Sequence, residues 1–463
     1  MNKSLLLVLL LGGCSFVPPY ERPAAPVPAT WPQLDPSGGT APGKVGAGEA
    51  ARGENWRTFF TAPELQRLIE AALAHNRDLH IAVARVEEAR AQAGLARADR
   101  FPTIDAGLQE QAARVPGDLN ATGRPAIARR FDANLGVAAF ELDFWGRLKS
   151  LDAAAQATFL ATDYARAAFR ISLITDVANA WYSLVELDQR ARLAEATVKT
   201  RAESRELVAR RRDVGLATDL DYLTADGAYQ SARADWANLV RQKVAAENAL
   251  RLLVGADTGA VPSAPTFGPM PEIAVGLPSE VLLGRPDVLA AEQKLIAANA
   301  NIGAARAAFF PRIALTVTAG SASAALSGLF SGGSGAWSFV PVLKWPLFDA
   351  GRNAANVDLA EARKLIAVAE YEKTIQQAFR EVADLLAARE YYAAQLQALE
   401  QAETAQVERL RRVEARQRSG VSSYLELLDA QRDAYTAQQA VVAVRRAVAA
   451  TAVGLFKATA GGI

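Results

Sequence analysis

The chain has one cysteine and two histidines among its 463 residues. A disulfide framework needs paired cysteines and a Cys/His metal cluster needs several ligands, so neither of the two is available. Charge of one sign is also missing. Lys and Arg number 51 against 50 Asp and Glu, a formal net charge of +1. With no clustered basic tract, a nucleic-acid partner held by overall positive charge is excluded. No unbroken apolar run reaches the roughly eighteen residues of a transmembrane helix. A chain of this kind that crosses a bilayer does so as a β-barrel, the other structure that pairs all its backbone groups in lipid. Nucleophile–base constellations, phosphate loops and metal spacings are absent too, so the residues indicate neither an enzyme nor a cofactor.

The single cysteine sits where it has a use. Residues 1–13 carry Lys3, the apolar run Leu5 to Leu11 and then Gly12-Gly13 before Cys14. A positive start, a short hydrophobic core and small residues ahead of a cut are the parts of a secretory signal. The ending Leu11-Gly12-Gly13-Cys14 is similar to a bacterial lipobox, whose Cys is lipidated and becomes the new N-terminus; the bland alternative is an incidental free thiol. Ser15, where Asp would retain the protein at the inner membrane, implies the outer membrane of a Gram-negative bacterium. Residues 14–58, rich in Pro, Ala and Gly, read as a lipid anchor and an extended, poorly packed tether.

The remainder is written twice. Helical periodicity from Pro63 to Arg100 stops at Phe101-Pro102, and alternating runs around Ile104–Gln109 and Phe131–Val137 predict a β-hairpin over about 102–145. Gly146-Arg147 opens a long helical hairpin, 146–254, whose seam Leu173, Val177, Ala180, Leu184, Leu187, Ala191 and Ala194 follows 4-3 spacing. Lys243 interrupts the return seam. After a Pro/Gly-rich connector (259–286) the order recurs: a helix from Asp287 to Phe310-Pro311, a β-hairpin over about 311–348, and a helical hairpin over 351–460 opened by Gly351-Arg352. The repeats are thus 59–258 and 287–463. Gly215 and Gly420, in the tips Arg212-Asp213-Val214-Gly215 and Arg418-Ser419-Gly420, lie 205 positions apart, as do the two Gly-Arg pairs.

Four amphipathic strands cannot close a membrane barrel alone, since open edges leave backbone groups unpaired in lipid. The strands must be pooled between copies, and three chains give twelve. The expectation is a mainly α protein with a membrane β-barrel, an oligomeric pore built from a duplicated helix/β-hairpin/long helical hairpin unit; if trimeric, as the resemblance below implies, it has a 12-stranded β-barrel and an α-helical barrel.

The lipobox, the Pro-rich stretch, the duplication and the tip Gly420-Val421-Ser422-Ser423-Tyr424-Leu425-Glu426-Leu427-Leu428-Asp429-Ala430-Gln431 together resemble a TolC-type outer-membrane efflux channel, most closely the lipidated OprM/NodT subgroup. The resemblance covers essentially the whole mature chain. It implies a homotrimer in outer-membrane lipid with a periplasmic tunnel, docked to a periplasmic adaptor protein and an inner-membrane pump of the RND type. Such a channel is a passive exit duct for small toxic compounds or antibiotics. The alternatives are one-step (type I) protein secretion and a lipid-anchored coiled-coil scaffold, which leaves the strand pairs without purpose.

The resemblance also nominates residues. Leu425, Glu426 and Asp429 match the inward-facing constriction after the second hairpin turn, where three copies form acidic rings that attract cations. The bland reading makes the two acids solvated members of a helix's first turn. Gly215 and Gly420 close the tips and are expected at the adaptor contact, or serve only as caps. Arg212 and Arg418 are candidates for ion pairs across protomers that hold the closed state, although exposed arginines near helix C-termini need no such role. Trp337, Phe339 and Trp345 fit a membrane-interface belt, with core packing as the alternative.

Overall fold

The computed structural model describes residues 15–31, 56–256, 266–268 and 279–459. The leader, Cys14 and most of both low-complexity stretches lie outside them. In chain order the elements are α1 (Trp56–Phe59), α2 (Pro63–His75), α3 (Arg77–Ala98), β1 (Ile104–Val115), β2 (Ala126–Glu141), α4 (Arg147–Asp213) and α5 (Asp219–Val254). The second half supplies α6 (Pro286–Ala307), β3 (Arg312–Ser323), β4 (Gly335–Lys344), α7 (Arg352–Arg418) and α8 (Tyr424–Thr459).

The duplication is visible in the element lengths. Both α4 and α7 have 67 residues, and both α5 and α8 have 36. A helix of 67 residues is on the order of 100 Å long, at about 1.5 Å per residue. By its contacts the chain divides into two units, one of residues 1–24, 85–163 and 290–372, the other of 25–84, 164–289 and 373–463.

The first unit holds a single antiparallel sheet in the order β1-β2-β3-β4, so the central β2–β3 pairing joins the two repeats. Its register puts Ile104, Val137, Val317 and Phe339 in one cross-strand row, and Ala106, Leu135, Ala319 and Trp337 in the next. Because side chains alternate across a strand, these rows share one apolar face, and charge enters it only toward the β1–β2 turn, at Glu110, Arg114 and Arg129. The opposite face carries Asp105, Gly136, Thr318 and Ser338 in one row and Gln109 with Asp132 in another. The apolar face is bare: Leu108 is 80% and Trp337 81% exposed. Between Val137 and Phe140 the β2–β3 register shifts through a bulge, with Ala139 at φ 50°.

Residues 15–24 also belong to this unit and depart from the expected poorly packed tether. Phe16 stacks on Phe310 at 4.7 Å, and Trp145 stacks on the same ring at 4.8 Å. Val17 fills the space over Gly303, where an added Cβ would come within 2.4 Å of its side chain. The Asn299 amide donates to the Pro18 carbonyl at 2.8 Å. The Glu292 carboxylate, only 7% exposed, accepts two 2.6 Å bonds from Arg22 and one of 3.0 Å from the Tyr20 hydroxyl. The aromatic and charged residues set among the prolines supply the packing that composition alone does not reveal.

The second unit holds the main core. Phe59, Phe60, Leu65 and Ile69 pack on Ile174, Val177, Trp181 and Leu184 of α4, with Val254 and Phe456 closing the cluster. Farther along, Ala191 and Ala194 meet Leu239. Trp31 stacks on Phe379 at 4.6 Å, a further anchor in the stretch expected to be loose. The helix expected to run unbroken from Pro63 to Arg100 is interrupted at Asn76, whose backbone is extended (φ −62°, ψ 125°). Its side chain accepts from the Leu79 N–H at 2.8 Å and donates to the Leu253 carbonyl at 2.7 Å, capping α3 and tying it to α5. By length and composition α8 is apolar enough to cross a membrane. In this fold it is a seam helix whose Ala430, Ala434, Val441 and Val453 are buried in the protein.

Lys243, which interrupts the seam, has a partner. Its ammonium lies 2.6 Å from the Asp188 carboxylate, which is 6% exposed and also accepts from Arg192 at 2.8 Å. One buried acid thus requires a cation on α5. We expect Lys243→Met to lower stability by about 1–3 kcal/mol, because it strands part of a buried charge. Adding Asp188→Leu should restore it, as thermal unfolding of the detergent-extracted protein would register.

Candidate channel constriction and hairpin tips

Each helical hairpin reverses through the same turn. Gly215 (φ 75°) and Gly420 (φ 78°) occupy the left-handed region, where a side chain is strained. The Leu216 N–H reaches the Arg211 carbonyl at 2.7 Å, and the Val421 N–H reaches the Arg416 carbonyl at 2.9 Å, closing α4 and α7 alike.

The next helices start differently. In the first repeat Thr218 accepts from the Asp221 N–H at 3.1 Å, while the Asp221 carboxylate takes the Thr218 N–H at 2.9 Å and its hydroxyl at 2.8 Å. This reciprocal capping box holds the Asp221 carboxyl below the ordinary range, through the backbone and hydroxyl bonds from Thr218. In the second repeat Ser423 accepts from the Glu426 N–H at 3.2 Å. The Glu426 carboxylate, at the position matching Asp221, turns instead to Arg416 of α7 at 3.7 Å.

Leu425, Glu426 and Asp429 all lie on the first two turns of α8. Leu425 is 64% exposed, a leucine facing outward from the protomer. Asp429 pairs with Arg432 one turn on at 3.2 Å, and Arg432 also reaches Asp433 at 3.0 Å. Arg409 of α7 holds Asp433 at 2.7 Å. These pairs are solvated and contribute little to stability. What they do is arrange charge: each acid of α8 here has an arginine beside it. Arg432 was legible from its i, i+3 spacing to Asp429. Arg416 was not, because the turn at Gly420 brings it across.

Arg212 and Arg418 find partners inside their own hairpins. Arg212 lies 2.9 Å from Asp213 and over the Tyr222 ring at 4.3 Å, and Arg418 lies 3.6 Å from Glu414. Gly215 and Gly420 sit in separate tips, and between the hairpins opens a cleft of about 350 Å³ lined by Ser204, Leu216, Gln417, Tyr424 and Gln431 among others. In the other unit, Trp337 and Phe339 share the exposed apolar face of the sheet. Trp345, 55% exposed, donates its indole N–H to the Phe309 carbonyl at 3.1 Å. Among the described residues no cluster of metal-binding side chains occurs.

An amphipathic sheet with two open edges, carried on a duplicated pair of long helical hairpins, defines a channel subunit of the outer-membrane type. The family comparison agrees: the outer membrane efflux protein family model matches residues 68–256 and 277–461. The chain belongs to that family, whose members are channel components and not enzymes. It is 45% identical over 466 residues to outer membrane protein OprJ of Pseudomonas aeruginosa, covering 99% of this chain and 95% of that one. It is 42% identical over 469 residues to the toluene efflux pump outer membrane protein TtgC of Pseudomonas putida, covering 100% and 96%. Among solved structures, a membrane protein from Pseudomonas aeruginosa matches with TM-score 0.88 at 44% identity, covering 96% of this chain and 100% of that one. The open state of the Neisseria gonorrhoeae MtrE outer membrane channel matches with TM-score 0.83 at 35% identity, covering 97% and 98%.

The positive φ at the tips has a measurable cost. Gly215→Ala or Gly420→Ala should destabilise its own turn by about 1 kcal/mol. Amide hydrogen exchange should quicken around the substituted turn and nowhere else.

Proposed function

We propose that three copies of this chain close a twelve-stranded barrel, β4 of each pairing with β1 of the next, and form the passive exit duct of a tripartite efflux pump. The observation that carries this reading is the sheet: one face apolar and exposed, the other polar, and an unpaired edge on both β1 and β4. In lipid each unpaired backbone group costs several kcal/mol, so the edges must find strands from other copies. Apolar residues then face lipid and Asp105, Gln109 and Asn134 face the lumen. Trp337, Phe339 and Trp345 form part of the aromatic belt.

The duct meets a periplasmic adaptor at the hairpin tips around Gly215 and Gly420, and beyond it an inner-membrane pump of the RND class. Relatives described as toluene and antibiotic efflux components support small apolar or amphiphilic cargo. Leu425, Glu426 and Asp429 form the constriction. The first repeat supports this assignment: there the acid matching Glu426 is spent in a capping box, and Thr224 stands where Asp429 stands in the second. At these two matched positions the second repeat presents acids that no capping box engages. Cys14 is the lipidation site, and residues 1–13 are the removed leader.

Glu426→Ala with Asp429→Ala should raise single-channel conductance in planar bilayers and weaken cation preference; unchanged currents would remove both acids from the constriction. Separately, Cys14→Ala should abolish incorporation of labelled palmitate in the producing cell.

A further inference from the structure

Polar ties link the first helical hairpin to α8 at several levels. Arg446 donates to the Ser183 hydroxyl at 3.3 Å, Arg190 to the Gln439 amide oxygen, and Tyr435 to Asp235. The last of the series is Arg201 of α4, whose Nη2 donates to the Leu428 carbonyl at 3.3 Å. Tipward of Arg201, among the described residues, no hydrogen bond or ion pair crosses between the hairpins. There the 350 Å³ cleft opens instead, with Ser204 and Val208 on one wall and Leu427 and Gln431 on the other. Arg201 therefore stands at the root of the cleft, and the carbonyl it holds belongs to the residue preceding Asp429.

This guanidinium is poorly provided for. Arg201 is 8% exposed, and its Nη1 is buried without a hydrogen-bond partner. Its one bond is long for a charged donor, which usually sits about 2.7–2.9 Å from its acceptor. Burial pulls its pKa down; the Tyr424 phenol opposes this, and the like charge of Arg432 adds to it. The early turns of α8 carry the positive end of a helix dipole, a further repulsion. The Gln431 side-chain amide oxygen, on the cleft wall, is likewise buried and unpaired. Because this chain itself encloses Nη1, a neighbouring copy cannot supply the missing partner.

We propose that Arg201 is a wedge: an under-partnered buried cation that biases the two hairpins to part and so sets how readily the tip constriction widens. This rests on the reading of Leu425, Glu426 and Asp429 as the constriction. Moving α8 away from α4 lets water reach Nη1 and the Gln431 oxygen, and the same movement carries Asp429 with it. Arg201 touches no cargo and acts only by positioning α8.

The test is Arg201→Met in the full-length trimer, which keeps side-chain length and removes the charge, with Arg201→Gln as a second neutral variant. Replacing an ill-compensated buried ion by an apolar side chain of similar size is neutral to stabilising. The open fraction in planar bilayers should fall about tenfold and the unfolding temperature should rise, a factor of ten corresponding to the lower part of that range. A residue that merely holds the tip together gives the opposite pair, a leakier channel and a lower unfolding temperature, and that result overturns the wedge. Unchanged openings with an unchanged unfolding temperature overturn it as well. The Glu426→Ala, Asp429→Ala channel is recorded alongside. If its currents match those of the unaltered channel, the constriction reading fails on its own account, while a lower open fraction together with a raised unfolding temperature in Arg201→Met still upholds the wedge, and a raised unfolding temperature with unchanged openings overturns it.

Discussion

Backbone hydrogen bonding in a medium without water governs this architecture. Each strand of a sheet carries a donor and an acceptor at nearly every residue, and in hydrocarbon no solvent meets the ones left over. A sheet of four strands in the order β1-β2-β3-β4 leaves two such rows open. Its apolar face, with Leu108 and Trp337 about four-fifths exposed, has no covering element within the described chain. Both deficits are removed by one operation, pairing copies edge to edge around an axis. The duplication serves the same end, since two strand pairs joined at β2–β3 give each copy twice the arc of a single repeat.

The helical hairpins face a different constraint. They are long, their seams are rich in alanine, and small side chains release little free energy per residue on burial. Polar ties therefore occur along the seam: Asp188 between Lys243 and Arg192, Tyr435 on Asp235, Arg190 on Gln439. Such groups add less stability than apolar packing would, but they fix register, because a slip of one turn would strand a buried charge. The segment at residues 15–24 works by the same logic in the other unit. Phe16 and Val17 pack, while Tyr20 and Arg22 satisfy the buried Glu292, so the strap has one docked position.

Much of this was legible in the sequence, since periodicity reports burial directly. The change from helical to alternating spacing at Phe101-Pro102 and Phe310-Pro311 marks the strands, and Gly-Arg pairs 205 positions apart mark both long helices. The misses share a cause. Asn76 breaks a helix that its apolar spacing would continue, because a side chain capping α3 and bonded to Leu253 outweighs propensity. Lys243 reads as a flaw until Asp188, 55 residues away, is placed opposite it. The strap around Tyr20 and Arg22 looks like linker because its partner Glu292 is some 270 positions distant. Each of these depends on a contact remote in sequence, which no local pattern encodes. The tip belongs with them. Its turns could be read from Gly and Ser, whereas the pairing of Glu426 with Arg416 required the fold.

The divergence of the two tips bears on which hairpin does the work. Both copies inherited a hydroxyl cap followed three residues later by an acid, Thr218 with Asp221 and Ser423 with Glu426. In the first copy the acid completes its box, which stiffens the start of α5 and leaves its charge committed to the backbone. In the second the acid turns to Arg416, a solvated pair weak enough to be exchanged for water or for a passing cation. Asp429 has no acidic counterpart in the first repeat, where Thr224 instead bonds back to the Leu220 carbonyl. At the matched position the first tip thus commits its acid to the cap, while the second leaves it to solvent and Arg416. On the proposed reading of the constriction only the second hairpin need move, and the cleft rooted at Arg201 is the boundary between the two.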